Sequence, residues 1–505
     1  MATTAEIQNQ SAPLAEKHSL RLDRPDLILN QGWIANRLVS SSQGITFPVE
    51  NPADGSLLAE VADCGSAEAR AAADAAHSAF ARWRKLLARE RAAYLQAWLT
   101  QVRKHQEDLA RLISLEQGKP LAESRVEVAY GAAYIEWFAE EAKRAYGNVI
   151  PETAPGRKIV VTKEPVGVAA AITPWNFPIA MLARKIAPAL AAGCTIVAKP
   201  AEDTPLSALA LALLAAEAGI PEGVVNVVPA SRKNAAALAD VWLEDQRVRK
   251  LSFTGSTAVG KHLAAASAPT LKRLSLELGG NAPFIVFEDA DLDLAVKGMI
   301  AAKFRNAGQT CICANRIYVA DQIYDEFAER AAQAVAKLNV GPAGGDAEIG
   351  PLINARALEK VERHVANAVE HGALVLIGGK RHALGRYFYQ PTVLVDVNSD
   401  MIVSCEETFG PVAPLFRFHS EDEVVTAANA TPFGLAAYFY SRDIARVMRV
   451  SAALESGMIG INEAAISTEV APFGGVKDSG YGREGSPYGI DEYLQTKYLC
   501  LGGLS

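Results

Sequence analysis

The sequence predicts an α/β fold of two doubly wound domains, each a mainly parallel sheet between helices, with a small β element beside them. Three observations predict it. A chain of 505 residues is too long for one core and divides into two or three domains. From residue 167 onward short apolar strands alternate with helical segments, the βαβ rhythm of a parallel sheet. That rhythm pauses at LELGG (Leu276 to Gly280) and resumes with PFIVF (Pro283 to Phe287), so the second half repeats the architecture.

Taken in order, residues 1–25 are polar and aperiodic and read as a loose arm. Three Ala-rich helical segments follow at about 66–85, 89–113 and 121–145, with apolar residues near helical spacing. GRKIVVTKEPVGVAAAI (Gly156 to Ile172) holds two β-rich runs broken by Glu164-Pro165, which reads as a hairpin or paired strands. The strands GVAAAI, CTIVAKP, VVNVVP and RKLSFTG then alternate with helices after Pro178, from Pro205 and near 233–240. In the second half come a helix over 291–306, the strand IYVA and a helix over 322–338. The tail YLQTKYLCLG (Tyr493 to Gly502) reads as a terminal strand able to pair with another chain. No low-complexity linker separates the halves, so they should pack closely.

With 50 basic and 57 acidic residues the net charge is −7, and no Lys/Arg-rich run stands out. Nucleic acid is therefore not an expected partner. The first twenty residues have no apolar core, so no secretory signal is expected, and Glu6 and Glu16 argue against a transit peptide. Apolar runs such as ALALALLAA (Ala208 to Ala216) are too short to cross a bilayer. A cytoplasmic protein is expected, with its six cysteines as reduced thiols.

VRKLSFTGSTAVGKHLAAA (Val248 to Ala266) is strand, tight turn and helix, a geometry that offers backbone N–H groups to a phosphate. Its run GSTAVGKH nearly matches a triphosphate loop, but His262 brings no hydroxyl for Mg²⁺. The dinucleotide pattern GxGxxG fails as well, because Ser256-Thr257 stands where the second glycine belongs. The competing reading is a βα turn with packing glycines. In CTIVAKPAEDTP (Cys194 to Pro205), Lys199 and Glu202 close a strand, where a lysine and an acid could hold the adenosine ribose hydroxyls. The alternative there is a solvated charged turn before a helix capped by Thr204.

Three residues carry the chemistry. Asn176 in TPWNFP sits at a strand-to-helix turn and could donate to an oxyanion, or could simply cap the helix. Glu277 lies in an apolar strand, where burial raises a carboxyl toward general-base range; an ion-paired structural role is the alternative. Cys311, in the polar turn GQTCICANR, reads as a reachable thiol rather than a buried hydrophobe. None of the eight histidines completes a triad, and no second Cys or His cluster completes a zinc site. Thiol, amide and glutamate without histidine fit acyl chemistry through a thioester.

The motifs TPWNFP, KPAEDTP, FTGSTAVG, LELGGN, FRNAGQTC, EETFGP and PFGGVKDSG occur in the order found in the aldehyde dehydrogenase superfamily, which the chain resembles from about residue 30. KLSFTGS, KFRNAGQTC, SRKNA and GREGSPYGIDEYL resemble its succinate-semialdehyde dehydrogenase branch, an activity of GABA degradation. The resemblance implies a Rossmann-like NAD-binding domain over 26–145 and 167–277 and a catalytic thiol domain over 278–480. It also implies an oligomerisation element over 146–166 and 481–505, and hence a homo-oligomer of two or four chains.

It further implies that Cys311 is the nucleophile, that Asn176 and the Cys311 N–H stabilise the oxyanion, and that Glu277 activates the deacylating water. Lys199 and Glu202 would contact the adenosine ribose, and Gly255 and Ser256 the pyrophosphate turn. Trp175, Leu278, Glu407 and Phe409 would line the cofactor, the last two at the nicotinamide ribose and ring. Glu202 would repel a 2′-phosphate, so NAD is expected, with NADP the alternative. Arg184 and Arg305, otherwise a solvated helix charge and a helix-dipole partner, would hold a substrate carboxylate with help from Ser467. Such a pocket excludes cationic aldehydes but admits glutarate semialdehyde, because one methylene discriminates weakly. Cys311 and Cys313 would form a reversible disulfide under oxidation. Retention of Glu277 argues against a coenzyme A-acylating enzyme, the intact trio Cys311, Glu277 and Asn176 against a non-catalytic member, and His262 in place of a Ser or Thr against a P-loop-like nucleotide-binding protein.

Overall fold

The computed structural model describes residues 20–504. Most of the expected N-terminal arm, residues 1–19, lies outside them; from residue 20 the chain already packs, with Leu22 and Leu27 buried.

Five parallel strands form the centre of the first sheet. Val168–Ile172 sits in the middle, with Thr195–Lys199 and then Val225–Val227 to one side, and Val248–Thr254 and then Arg273–Glu277 to the other. These strands are almost wholly buried, as a parallel sheet covered on both faces requires. Helices Pro178–Ala192 and Pro205–Glu217 lie directly against it, and Ala88–Lys104, Gln106–Gln117 and Leu121–Glu141 pack over them. Because the winding reverses between Val168–Ile172 and Val248–Thr254, a crevice opens beyond their carboxyl ends.

The second sheet has seven strands in the order Leu374–Ile377, Thr392–Val395, Val412–Phe418, Ala314–Ala320, Ala282–Val286, Ala436–Tyr440, Met458–Ile461. All its pairs are parallel except the first. The two doubly wound sheets are those the sequence predicts.

Several elements differ from expectation. The runs around Glu164-Pro165 are not a hairpin. Lys158–Pro165 pairs with Asn148–Ile150 and Leu494–Leu501 in a separate three-stranded sheet, while Val168–Ile172 goes to the centre of the first sheet. The terminal strand therefore pairs within its own chain and, among the described residues, has one edge unpaired. The helix expected over 89–113 is two helices that meet at His105. Four short strands, Gly32–Ile34, Arg37–Val39, Thr46–Glu50 and Leu57–Ala62, precede the first helix without having been anticipated.

Candidate active site

Loops from both sheets meet in the crevice. The first domain contributes the turn after Val168–Ile172, the turn after Val248–Thr254 and the segment after Glu277. The second contributes the turn before Ala314–Ala320, residues 407–409 and the helix Ala355–Glu370. Together they enclose a cavity of about 390 Å³ lined by Trp175, Asn176, Gly255, Ser256, Glu277, Leu278, Cys311, Glu407 and Phe409, among others. Nine of the expected site residues thus share one space.

The thiol is presented by an unusual turn. Asn306, Ala307 and Gly308 have φ of 51°, 54° and 75°, three consecutive residues in the left-handed region. Two of them bear side chains, which costs on the order of 1 kcal/mol or more each. The surroundings enforce it. Asn306 N–H donates to Glu123 Oε2 at 2.8 Å, and Asn306 Nδ2 to the carbonyls of Asn176 and Gln309 at 3.1 and 3.3 Å. Gln309 Nε2 donates to Asn306 O and Pro351 O, and Gln309 Oε1 accepts the Ile353 N–H. Gly308 must be glycine on two counts, its φ and a Cβ position 2.1 Å from Gly410 O. A Cβ on Gly280 would lie 2.6 Å from Cys311 O, so that glycine lets the backbone after Glu277 close on the thiol turn.

Asn176 does not cap the helix behind it. Its Nδ2 donates to Gln309 O at 3.0 Å, while the helix amides of Ile179 and Ala180 go to Glu127 Oε1. Glu127 pairs with Lys119, both fully buried, and Lys119 Nζ also donates to Asn176 O at 2.8 Å. Lys119, Glu123, Glu127, Asn306 and Gln309 escaped sequence reasoning. FRNAGQTC marked two of them, but nothing local names partners 130 residues away, as between Asn306 and Asn176.

Glu277 is 2 % exposed, and neither carboxyl oxygen has a hydrogen-bond partner among the described residues. Burial holds its carboxyl well above the usual range, the Glu484 carboxylate adds to this, and Arg184, Lys185 and Arg483 oppose it. The ion-paired alternative for Glu277 thus fails. Burial likewise pushes the Cys311 thiol up to about 12, with Arg184 opposing and Glu407 and Glu277 adding. In both groups burial favours the protonated form. Cys313 is fully buried, donates to Lys303 O at 3.1 Å, and is not bonded to Cys311.

Along the cofactor side, Phe409 meets Trp175 edge-on at 5.5 Å and itself has φ 55°. Burial raises Glu407 to about 7, with Lys360 and the Gly280 N–H opposing. Ser256 caps the helix Thr257–Ser267 by accepting from Val259 N–H. A Cβ on Gly255 or Gly260 would lie 2.4 Å from the Phe253 ring or 2.3 Å from Leu278, so both are packing glycines. Thr254 Oγ1, beside this turn, is buried without a partner among the described residues.

The turn at Lys199 is not a solvated one. Lys199 is buried and pairs with Glu202 at 3.5 Å, and Glu202 pairs with Arg232 at 3.0 Å. The amides expected for Thr204 go to Glu116 instead, from Leu206 and Ser207. Glu202 and Arg232 border a second cavity of about 250 Å³ that shares Arg232, Ile353 and Asn354 with the first.

Arg184, Arg305 and Ser467 are not among the residues lining the larger cavity. Arg184 is not solvent-facing: it is 1 % exposed, its Nε pairs with Glu484, and it stacks over Phe473 at 4.4 Å. Its Nη1 and Nη2 have no hydrogen-bond partner among the described residues. Arg305 and Lys119 both face the Phe177 ring, at 4.9 and 3.8 Å. Ser467 is half-buried, next to Ile466, which packs against the cluster that also takes Cys311.

Among the described residues no helix is long and apolar enough to cross a membrane. Residues 38–499 match the model of the aldehyde dehydrogenase family. A 3-sulfolactaldehyde dehydrogenase of Pseudomonas putida is 58 % identical, over 96 % of this chain and 99 % of that protein. The NADP(+) succinate-semialdehyde dehydrogenase GabD of Escherichia coli K12 is 56 % identical, over 96 % of this chain and all of the other. A crystal structure of succinate-semialdehyde dehydrogenase from Burkholderia pseudomallei superposes with a TM-score of 0.94 at 57 % identity, over 95 % of this chain and 99 % of that one.

Proposed function

Because the chain belongs to the aldehyde dehydrogenase family, we propose that it oxidises an aldehyde with a carboxylate at its far end, succinate semialdehyde first, to the acid with NAD(P). The observation that carries the substrate class is Arg184, a buried guanidinium with two unpartnered nitrogens one helical turn past Met181, which lines the cavity. Buried donors left unpaired are costly, and a carboxylate satisfies two at once. Arg305 and Ser467 assist in this reading, and glutarate semialdehyde, one methylene longer, is the alternative within it. A sulfonate would suit the same guanidinium, so a sulfonated aldehyde is the second reading, favoured by the Pseudomonas putida relative.

The residues then divide the work. Glu277, acting in its carboxylate form, takes the Cys311 proton and passes it to solvent; oxygens without a partner among the described residues and a raised proton affinity suit it as a base. The thiolate adds to the aldehyde carbon. One N–H of Asn176 Nδ2 serves Gln309 O, and the other, with the Cys311 N–H, receives the oxyanion. NAD(P), when bound, supplies the hydride acceptor, and loss of hydride leaves a thioester on Cys311. Glu277, a carboxylate again, takes a proton from water as the water oxygen attacks the thioester; the C–S bond breaks, the acid leaves, and Glu277 returns that proton to the Cys311 thiolate. Glu407, Phe409, Trp175 and Leu278 hold the nicotinamide half, with Gly255 and Ser256 at the pyrophosphate. Lys199 and Glu202 hold the adenosine ribose. Because Arg232 offsets the Glu202 charge, both cofactors are accepted, with NAD preferred.

In this reading residues 26–145 and 167–277 carry the cofactor, 278–480 the thiol, and 146–166 with 481–505 join chains into a homo-oligomer in the cytoplasm. A Cys311–Cys313 disulfide requires Cys313 to leave Lys303 O; peroxide inactivation reversed by dithiothreitol in wild type and absent from Cys313→Ala tests it. The main test is absorbance at 340 nm with succinate, glutarate and 3-sulfolactaldehyde substrates, NAD or NADP, and Cys311→Ala as control. No NAD(P)H with any anionic aldehyde sinks the proposal.

A further inference from the structure

We propose that His364 is the positioning residue for Glu407 and Phe409: a single buried imidazole grips the side chains on both sides of Glu407. This rests on the reading that Glu407 and Phe409 serve the cofactor. The helix Ala355–Glu370 lines the cavity with Arg356, Ala357 and Lys360, and His364 lies one turn beyond Lys360, fully buried. Its Nε2 is 3.2 Å from Glu406 Oε2 and its Nδ1 is 3.1 Å from Thr408 Oγ1. A carboxylate only accepts, so Nε2 carries the proton and donates to Glu406. Nδ1 is then a bare acceptor and takes the Thr408 hydroxyl proton. The neutral ring has one donor and one acceptor, and both are used. Burial holds the imidazole in that neutral form, its pKa lowered to about 4, with Lys360 and Arg363 acting in the same direction and Glu406 against it.

The grip has a geometric consequence. Glu406 is extended, with φ −102° and ψ 137°, so successive side chains point to opposite sides. Fixing 406 and 408 on the helix side turns Glu407 to the other, where its Oε1 meets the Gly280 N–H at 3.5 Å and it lines the cavity. Phe409, directly after Thr408, has φ 55° and no polar group of its own to hold that strained backbone. The His364–Thr408 bond fixes its N-terminal side, and the close approach of Gly410 O to Gly308 fixes the other.

The test compares His364→Ala, His364→Gln and Glu407→Gln, with NAD affinity read by calorimetry, kcat/KM for NAD, and the rate at which iodoacetamide alkylates Cys311 in free enzyme. His364→Ala should weaken NAD binding and lower kcat/KM for NAD about tenfold, with alkylation unchanged. Glutamine, which can donate to Glu406 and accept from Thr408, should restore most of it. The double variant His364→Ala/Glu407→Gln should be no worse than Glu407→Gln alone. Wild-type NAD binding and kcat/KM in His364→Ala, or an equal loss in alkylation, overturns the positioning role by itself. Wild-type behaviour of Glu407→Gln overturns the cofactor reading of Glu407, and the His364 proposal with it.

Discussion

Glu407 combines a raised pKa with a buried place in the cavity wall, and that combination has a stability signature. Its carboxyl titrates near 7 in the folded chain against about 4.5 when hydrated. The folded state therefore binds this proton more tightly than the unfolded one. Its contribution to stability is fully present below about pH 4.5 and is lost as pH rises through about 7. Glu407→Gln removes that loss, so the variant should gain about 1–3 kcal/mol over wild type at pH 8 and almost nothing at pH 4.5. Thermal melts across that range check it; an equal shift at both pH values would mean Glu407 is not buried as a charge. Arg184 is tested by ratio rather than by level. Arg184→Ala should raise KM about 10- to 100-fold for succinate semialdehyde relative to a neutral aldehyde of the same length. The comparison cancels any damage from leaving Glu484 with Lys185 as its remaining partner. Equal losses with both aldehydes would refute the anchor.

The turn 305–311 shows what an element owes to residues that sequence patterns hide. Lys119, its Glu127 partner and the carbonyl of Asn176 form one buried unit. Lys119→Met leaves an uncompensated buried carboxylate and should cost about 3–5 kcal/mol in chemical denaturation. Lys119→Met/Glu127→Gln should recover much of that, because the stranded charge is gone. If the double variant is as unstable as the single, the pair is not what holds the loop. The same distinction explains how legible the fold was. Strands buried on both faces, such as Val168–Ile172, announce themselves as continuous apolar runs, and the helices by their spacing. Lys158–Pro165 instead shows mixed exposure along its length, and that difference, rather than the Glu164-Pro165 break, separates it from its neighbour. The break at His105 carries no Gly or Pro, and three-residue strands such as Gly32–Ile34 have no room for a period. Of the cavity, Cys311, Glu277 and Asn176 could be picked out beforehand because their types suit one chemistry. The charges that orient them were not, since Lys185 and Glu484 are 299 residues apart and each alone looks like surface.

At the scale of the molecule, the third sheet is the element that one chain leaves unfinished. Asn148–Ile150 is exposed at every residue, and Leu494–Leu501 at all but its first. Tyr498, Leu499 and Leu501 keep 59, 40 and 43 % of their surface, as do Val149 at 68 % and Ile150 at 43 %. A three-stranded sheet whose two outer strands are this exposed buries too little to stand by itself, and a long strand with an edge unpaired among the described residues invites another strand. The cover that fits is a second copy of the chain, which would give up the same apolar residues symmetrically. The wild-type protein should therefore elute in light-scattering chromatography at a multiple of its 53.7 kDa mass. Leu499→Lys/Leu501→Lys puts two ammonium groups on that edge without unpairing it from Lys158–Pro165, and should shift the protein toward the single-chain mass. Cys311 alkylation should be retained in the dissociated chain, since residues of one chain already form the walls around the thiol. A wild-type protein that runs as a single chain at micromolar concentration would show that the sheet stands uncovered.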